Sequence, residues 1–137
     1  MTIRILCVGK IKEAFYRDAI AELMKRMGRY ATTEIIEVAE EKAPEGLSQA
    51  EKEQILANEG ERLLGKTDER DHIIALCIEG KKLTSEAFAA HIRTAMLAGK
   101  SRIVFIIGGS FGLHPSVKRR ACLLYTSPSP RDMRRSR

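Results

Sequence analysis

Two glycine-containing segments have the residue types best suited to hold a ligand with backbone groups. Gly108 to Gly112 (GGSFG) directly follows an apolar run, and Glu79 to Lys82 (EGKK) follows another. Three glycines in five residues are expected where the backbone approaches another group closely or takes φ > 0. Two such turns at neighbouring strand ends would form one crevice, with amides and carbonyls available to an adenosine-like ligand. A tight structural loop is the alternative interpretation of these glycines.

The apolar wall of such a crevice would come from Leu76 and Ile78, which lie in the run before Gly80. Simple packing in the core is the alternative for both side chains.

The segment Gly60 to Thr67 (GERLLGKT) matches the P-loop pattern GxxxxGK[ST]. A P-loop must follow a strand and open a helix, whereas this segment closes a helix that begins near Ser48. We therefore predict a helix that ends at a Gly65 cap, with no phosphate site. The GxGxxG fingerprint of dinucleotide-binding folds is also missing, because the first strand is followed by Gly9 alone.

No catalytic carboxylate pair, metal triad or nucleophile with its base is recognisable, so the sequence assigns no catalytic side chain and no metal. His72, His91 and His114 fall on a strand start, a helix and a loop, where structural roles are the usual ones. His114 is the one worth testing, because it follows the glycine-rich segment and precedes Pro115.

Composition favours one globular α/β domain, with 44% hydrophobic and 31% charged residues among 137. The net charge of +6 is uneven, since residues 122–137 contain four arginines and one aspartate. The chain lacks a membrane-length apolar run and a signal-peptide pattern, so we expect a cytoplasmic protein with no membrane partner. Three widely spaced cysteines are expected to be reduced thiols.

Hydrophobic periodicity predicts alternating strands and helices, and hence a mostly parallel sheet flanked by helices. The predicted strands are Thr2–Val8, Thr33–Val38, His72–Ile78 and Arg102–Ile107, and the predicted helices are Phe15–Met27, Ser48–Leu64 and Phe88–Met96. Gly80 is expected to end the third strand. A short helix that starts at Pro115 would carry Lys118, Arg119 and Arg120, which either contact RNA phosphate or form a solvated face. Ligands of such sheets bind beyond the carboxyl ends of the strands.

Several linked segments resemble the RlmH (YbeA-like) family, which comprises small SPOUT-class pseudouridine N3-methyltransferases. The segments are IRILCVGKIKEAFYRDAIAELMKR, IIEVAEEKAPEGLS, ALCIEGKKLTSEAFA and FIIGGSFGLH, and the likeness covers residues 1–121. The resemblance implies a SPOUT α/β-knot fold, incomplete in this chain, with S-adenosylmethionine as the methyl donor. It also implies a homodimer that methylates N3 of a pseudouridine in helix 69 of 23S rRNA, within the assembled 70S ribosome. No DNA partner is implied.

The resemblance, taken with the glycine pattern, assigns donor binding to five residues. These are Leu76, Gly80, Gly108, Gly109 and Gly112. Cys77 departs from the family, in which an acidic residue is usual at that position, so we do not expect this position to make the polar contacts of an acidic side chain.

The likeness stops at about Ala121, and residues 122–137 (CLLYTSPSPRDMRRSR) have the composition of a disordered tail. The letters YTSPSPRD resemble translated sequencing-adapter tails, and a divergent native tail is the alternative. If the junction is artificial, we expect the chain as written to lack part of its donor pocket and to be inactive or unstable.

Two other functions stay open at this point. A non-catalytic ribosome-binding or RNA-binding module with a vestigial pocket would bind ribosomes in a salt-sensitive way without methyl transfer. The other alternative, an unrelated nucleotide-binding α/β protein, is supported by the P-loop pattern alone.

Overall fold

A computed structural model of the chain describes residues 2–9, 32–41, 45–82, 84–108 and 112–126, together with Ala21 and Lys25. The elements in chain order are β1 (Thr2–Val8), β2 (Thr32–Val38), α1 (Gln49–Leu64), β3 (His72–Lys82), α2 (Ser85–Leu97), β4 (Arg102–Ile107), α3 (Pro115–Arg120) and β5 (Leu123–Thr126). The helix predicted for Phe15–Met27 lies outside the described residues, apart from Ala21 and Lys25, which are both helical.

The five strands form one sheet in the order β2-β1-β4-β3-β5, and every neighbouring pair is parallel. Ile5 of β1 pairs with Ile35 of β2 on one side and with Phe105 of β4 on the other. Because the strands are parallel, all of them end at one edge, which we call the carboxyl edge, and begin at the opposite amino edge. The α/β fold with a parallel sheet is confirmed.

Helices cover both faces of the sheet, because side chains of each strand alternate between two apolar clusters. The cluster on the α2 face includes Ile3, Ile5, Ile74, Ile92, Ile103 and Phe105. The cluster on the α1 and α3 face includes Leu6, Leu63, Ile73, Val104, Ile106 and Val117. Each such aliphatic side chain contributes about 2 kcal/mol when it is removed from water. This two-sided burial explains why β3 and β4 have nearly continuous apolar sequences.

Local signals set the ends of α1. Ser48 Oγ accepts a hydrogen bond from the Glu51 amide at 3.2 Å, and the Glu51 carboxylate accepts one from the Ser48 amide at 3.3 Å. At the other end, the Gly65 amide donates to the Glu61 carbonyl at 2.9 Å. The predicted capping box and Gly65 cap are confirmed. The P-loop-like letters therefore close a helix, and their amides do not open one toward a phosphate.

The prediction that Gly80 ends the third strand is wrong, since β3 continues to Lys82. Leu76 and Lys81 are both partnered with Tyr125, so the strand is irregular between them and then resumes pairing with β5. A partner distant in sequence therefore extends the strand past a residue that locally favours a turn.

The sequence also predicts disorder from residue 122, whereas Leu123–Thr126 form β5. The Cys122 amide donates to the Ile73 carbonyl at 2.7 Å, after which Leu123 packs on one face of the sheet and Leu124 on the other. The open edge of β3 supplies the hydrogen bonds that an isolated four-residue strand lacks. Residues 127–137 lie outside the described part of the chain, so the boundary at Ala121 and the disorder beyond Thr126 stay predictions.

Candidate functional site

The carboxyl edge brings together the ends of β3 and β4. Leu76 of β3 pairs with Ile107 of β4, and Gly108 follows Ile107 directly. The Leu76 side chain is 9% exposed and belongs to the apolar cluster on the α2 face. Leu76 is therefore part of the core next to the start of residues 108–112, which we call the glycine segment.

Gly108 and Gly112 approach each other so closely that neither a side chain nor a solvent layer fits between them. A Cβ placed on Gly108 would lie 2.6 Å from the Gly112 carbonyl carbon, nearer still to its oxygen, and 3.0 Å from Leu113 Cδ2. Gly112 itself has φ +84°, which is strained for residues with a side chain. Each of these two glycines is thus required for a different physical reason, and Gly109 lies outside the described residues.

His114 lies two residues after Gly112 and caps the helix that follows the glycine segment. Its Nδ1 accepts from the Ser116 amide at 3.2 Å and lies 2.8 Å from Ser116 Oγ, so the imidazole caps the start of α3. The predicted short helix from Pro115 is confirmed, whereas the capping role of His114 was missed. An imidazole is an unusual cap, and the serine, threonine, aspartate or asparagine that announces most helix starts is missing directly before Pro115.

Two α1 residues near this edge were also missed. Glu59 is 4% exposed, and its carboxylate accepts from the Glu41 amide at 3.2 Å. Burial raises the pKa of the Glu59 carboxyl, although that hydrogen bond acts in the opposite direction. Gly60, the next residue, lies against α3.

A sequence signal for both residues existed. Glu59 stands four residues before Leu63 and Gly60 four before Leu64, so both occupy helical positions otherwise used by leucines that pack on the sheet. A charged residue and a glycine in the apolar stripe of a helix indicate a specific contact.

Gly80 lies in the irregular part of β3, beyond Leu76 and before the renewed pairing at Lys81. This segment and the glycine segment follow the paired ends of two adjacent strands, so they share the carboxyl edge. The structure thus brings Leu76, Gly108 and Gly112 together and places Gly80 in the neighbouring strand.

The other histidines lie away from this edge. His72 at the start of β3 contacts His91 of α2, with 2.8 Å between the two Nε2 atoms. Burial, then the neighbouring His91 and Lys100, lower the pKa of His72. Their position at the amino edge separates them from the glycine segment.

The Cys7 thiol of β1 is buried. Burial, reinforced by Glu37, raises the pKa of the Cys7 thiol to about 11, so it stays protonated at neutral pH. Within residues 2–9, 32–41, 45–82, 84–108 and 112–126, His, Cys, Asp and Glu nowhere form a group of three able to hold a metal ion. No helix in those ranges is long and apolar enough to cross a bilayer.

Comparison with known proteins assigns the family. A family described as "Predicted SPOUT methyltransferase" matches residues 1–127. The chain belongs to the SPOUT methyltransferase family. Within it, the chain is similar to proteins named ribosomal RNA large subunit methyltransferase H. The one from Limosilactobacillus reuteri (strain DSM 20016) is 51% identical over 121 residues, which is 88% of this chain and 76% of that protein.

Two further relatives of the same name give similar values. The protein from Lacticaseibacillus casei (strain BL23) is 52% identical over 121 residues, with 88% of this chain and 76% of the relative covered. The protein from Streptococcus equi subsp. zooepidemicus (strain MGCS10565) is 51% identical over 124 residues, with 90% and 78% covered. The chain is thus a SPOUT methyltransferase of the RlmH type.

The carboxyl edge of this SPOUT methyltransferase presents backbone at Gly108 and Gly112, and one acidic side chain near it, Glu59, is buried and hydrogen-bonded. Such an arrangement is suited to binding and aligning two reactants, which can supply much of the rate acceleration of a group transfer.

Proposed function

We propose that this chain is an S-adenosylmethionine-dependent methyltransferase that acts on large-subunit ribosomal RNA. The acceptor is N3 of a pseudouridine in helix 69 of 23S rRNA, in the assembled 70S ribosome. The enzyme works as a cytoplasmic homodimer, and its fold is of the SPOUT α/β-knot type.

The observation that carries this proposal is the contact between Gly108 and Gly112 at the carboxyl edge. Parallel α/β sheets bind ligands at this edge, and the contact leaves room only for backbone at Gly108. Membership in the SPOUT methyltransferase family and relatives named for ribosomal RNA support the same activity.

The residues present fit the methyl donor. S-adenosylmethionine, when bound, supplies an activated methyl group on a sulfonium sulfur. Glycine backbone allows a nucleoside to approach amides and carbonyls that a side chain would shield. Leu76, Gly80, Gly108, Gly109 and Gly112 are the residues that would hold it, with Leu76 in the apolar floor.

The RNA contacts in this proposal come from α3. Arg119 is exposed on this helix, while the Arg120 guanidinium donates to the Asp68 carbonyl at 2.7 Å. Cationic side chains of this kind position RNA through its phosphates and do not read its sequence. Ribosome shape would then supply most of the specificity.

The test begins with calorimetric titration of S-adenosylmethionine into two proteins. One is the 137-residue chain, and the other is a chimera of its residues 1–121 with the C-terminal segment of the Limosilactobacillus reuteri relative. We call this second protein the extended chimera. It is useful because the relative matches this chain over only 76% of its length.

We expect the extended chimera to bind the donor and to transfer methyl groups to 70S ribosomes that lack the modification. Mass spectrometry of the 23S rRNA then locates the methyl group. Absence of donor binding by both proteins would contradict the proposal. Salt-sensitive ribosome binding without methyl transfer would instead identify a non-catalytic RNA-binding module.

A further inference from the structure

Gly60 occupies a position inside the continuous helix α1 where a better helix former would be expected. Glycine in a helix interior is less favourable than alanine by about 1 kcal/mol. Gly60 lies well inside Gln49–Leu64 and is buried. A buried helical glycine is expected where another element approaches the helix backbone closely.

The element that approaches Gly60 is the start of α3. A Cβ on Gly60 would lie 3.2 Å from His114 Cβ, 3.2 Å from Val117 Cγ2 and 3.7 Å from Ser116 Oγ. Two of these contacts are tighter than ordinary van der Waals separation, so with an alanine at position 60 the neighbouring His114 and Val117 must give way by a few tenths of an ångström.

Movement of α1 is opposed by its contacts with the chain after β2. Glu59 accepts from the Glu41 amide at 3.2 Å, while Arg62 forms an ion pair with Glu41 at 2.6 Å. Arg62 also donates to the Ala39 carbonyl at 3.1 Å. These bonds flank Gly60 on both sides in the helix, so α3 is the element that shifts.

A shift of α3 reaches the glycine segment through a very short path. His114 caps α3, and only the buried Leu113 separates His114 from Gly112. The Gly112 carbonyl in turn lies against the Gly108 Cα, where no side chain fits. The series of contacts that links Gly60 to Gly108 is therefore closely packed, so a displacement at one end is expected to reach the other.

We propose that Gly60 is a positioning residue for the donor site, because its missing side chain lets α3 hold Gly112 against Gly108. This inference rests on the proposed function, since the ligand of that segment is S-adenosylmethionine. Gly60 acts through His114 and touches neither the donor nor the acceptor.

The test compares Gly60→Ala with the matched control Gly99→Ala in the extended chimera. Gly99 has φ +88°, a Cβ added to it would meet nothing within 4 Å, and it lies at the amino edge after α2. The control thus adds the same methyl group, and backbone strain, far from the glycine segment. Donor affinity is measured by calorimetry well below each unfolding midpoint, and amide hydrogen exchange is followed without donor.

We expect Gly60→Ala to weaken donor binding about tenfold, as a small misalignment of a binding site does. Amides of residues 112–117 should exchange faster in this variant, while those of β1 and β4 should not. Gly99→Ala should leave donor affinity and these exchange rates unchanged, although its unfolding midpoint falls.

Two results would overturn the inference: unchanged donor affinity in Gly60→Ala with only a shifted unfolding midpoint, or equal effects of the two variants. If neither the unsubstituted chimera nor the 137-residue chain binds donor, the proposed function is wrong. The exchange rates of residues 112–117 then decide by themselves whether Gly60 seats the segment.

Discussion

The two edges of the sheet differ in the groups that form their contacts. At the amino edge, the Asp71 carboxylate accepts two hydrogen bonds from Arg102, both 2.7 Å long, and a third from the Asp68 amide at 2.8 Å. His72 and His91 form a further contact there at 2.8 Å. Charged and polar side chains are thus paired with one another at this edge.

The carboxyl edge also contains an ion pair, between Arg62 and Glu41, but it differs from the amino edge in its close glycine contacts. Gly108 contacts Gly112 with no room for a side chain, and Gly60 lets α3 approach α1. Gly108 and Gly112 carry no side chain, so backbone alone borders the edge at these two positions. If the carboxyl edge binds the donor as proposed, while the paired side chains of the amino edge stabilise the fold, substitutions at the two edges should separate stability from affinity.

The largest expected effect on stability belongs to Asp71→Ala. Asp71 is 4% exposed, and burial alone would raise its pKa, but hydrogen bonds from Arg102 and the Asp68 amide outweigh burial and lower it. Removing the carboxylate leaves the partly buried Arg102 without its partner, which costs about 3 kcal/mol. Urea unfolding measures this loss.

A matched control is Glu34→Ala, which removes a more exposed partner. Glu34 is 40% exposed and pairs with Arg4 at 2.6 Å, so its loss should cost less than about 1 kcal/mol. Neither variant should change donor affinity when it is measured in the extended chimera below the unfolding midpoint. Weaker donor binding by Asp71→Ala would contradict the separation of the two edges.

Gly108→Ala should lower donor affinity, which the substitutions at the amino edge leave unchanged. Its Cβ would overlap the Gly112 carbonyl, so the segment must rearrange. We expect donor affinity to fall about 100-fold, which is about 2.7 kcal/mol. Gly46→Ala is the control, because Gly46 has φ +78° with nothing nearby, and its substitution should cost stability alone. Retained donor affinity in Gly108→Ala would place the donor elsewhere.

The smallest expected effect is a pH dependence that arises at the amino edge. Burial and His91 lower the pKa of His72, so the folded state binds fewer protons than the unfolded state. This stability is present above the unfolded pKa of about 6.5 and is lost as the pH falls below it. The free energy of unfolding should therefore decrease as the pH falls from about 7.5 to 5.5.

The variant His72→Gln tests this assignment, since it removes the titrating group. Unfolding in urea at both pH values should give a smaller decrease than in the parent chain. An unchanged decrease would assign the pH dependence to other groups.

Local sequence signals predicted much of this fold. The bounds of β1 and β4 and the capping box of α1 follow from residues adjacent in sequence, and all are confirmed. The extension of β3 past Gly80 was not predicted, because it depends on pairing with β5. A partner more than 40 residues away in sequence leaves no local pattern.

The candidate site was predicted only in part, because some of its contacts also join residues that are distant in sequence. Gly108 and Gly112 stand out because glycine is rare at such density, and their contact is visible in the structure. The His114 cap and its contact with Gly60 were missed, since they arise only when α3 packs on α1. Donor binding by Leu76, Gly80, Gly108, Gly109 and Gly112 stays a prediction.

Amide hydrogen exchange of the extended chimera with and without S-adenosylmethionine tests the central claim most directly. We expect the donor to slow exchange at residues 108–113 and 76–80, and to leave residues 66–72 at the amino edge unchanged. Protection confined to residues 66–72, or no protection at the glycine segment under saturating donor, would contradict a donor site at the carboxyl edge.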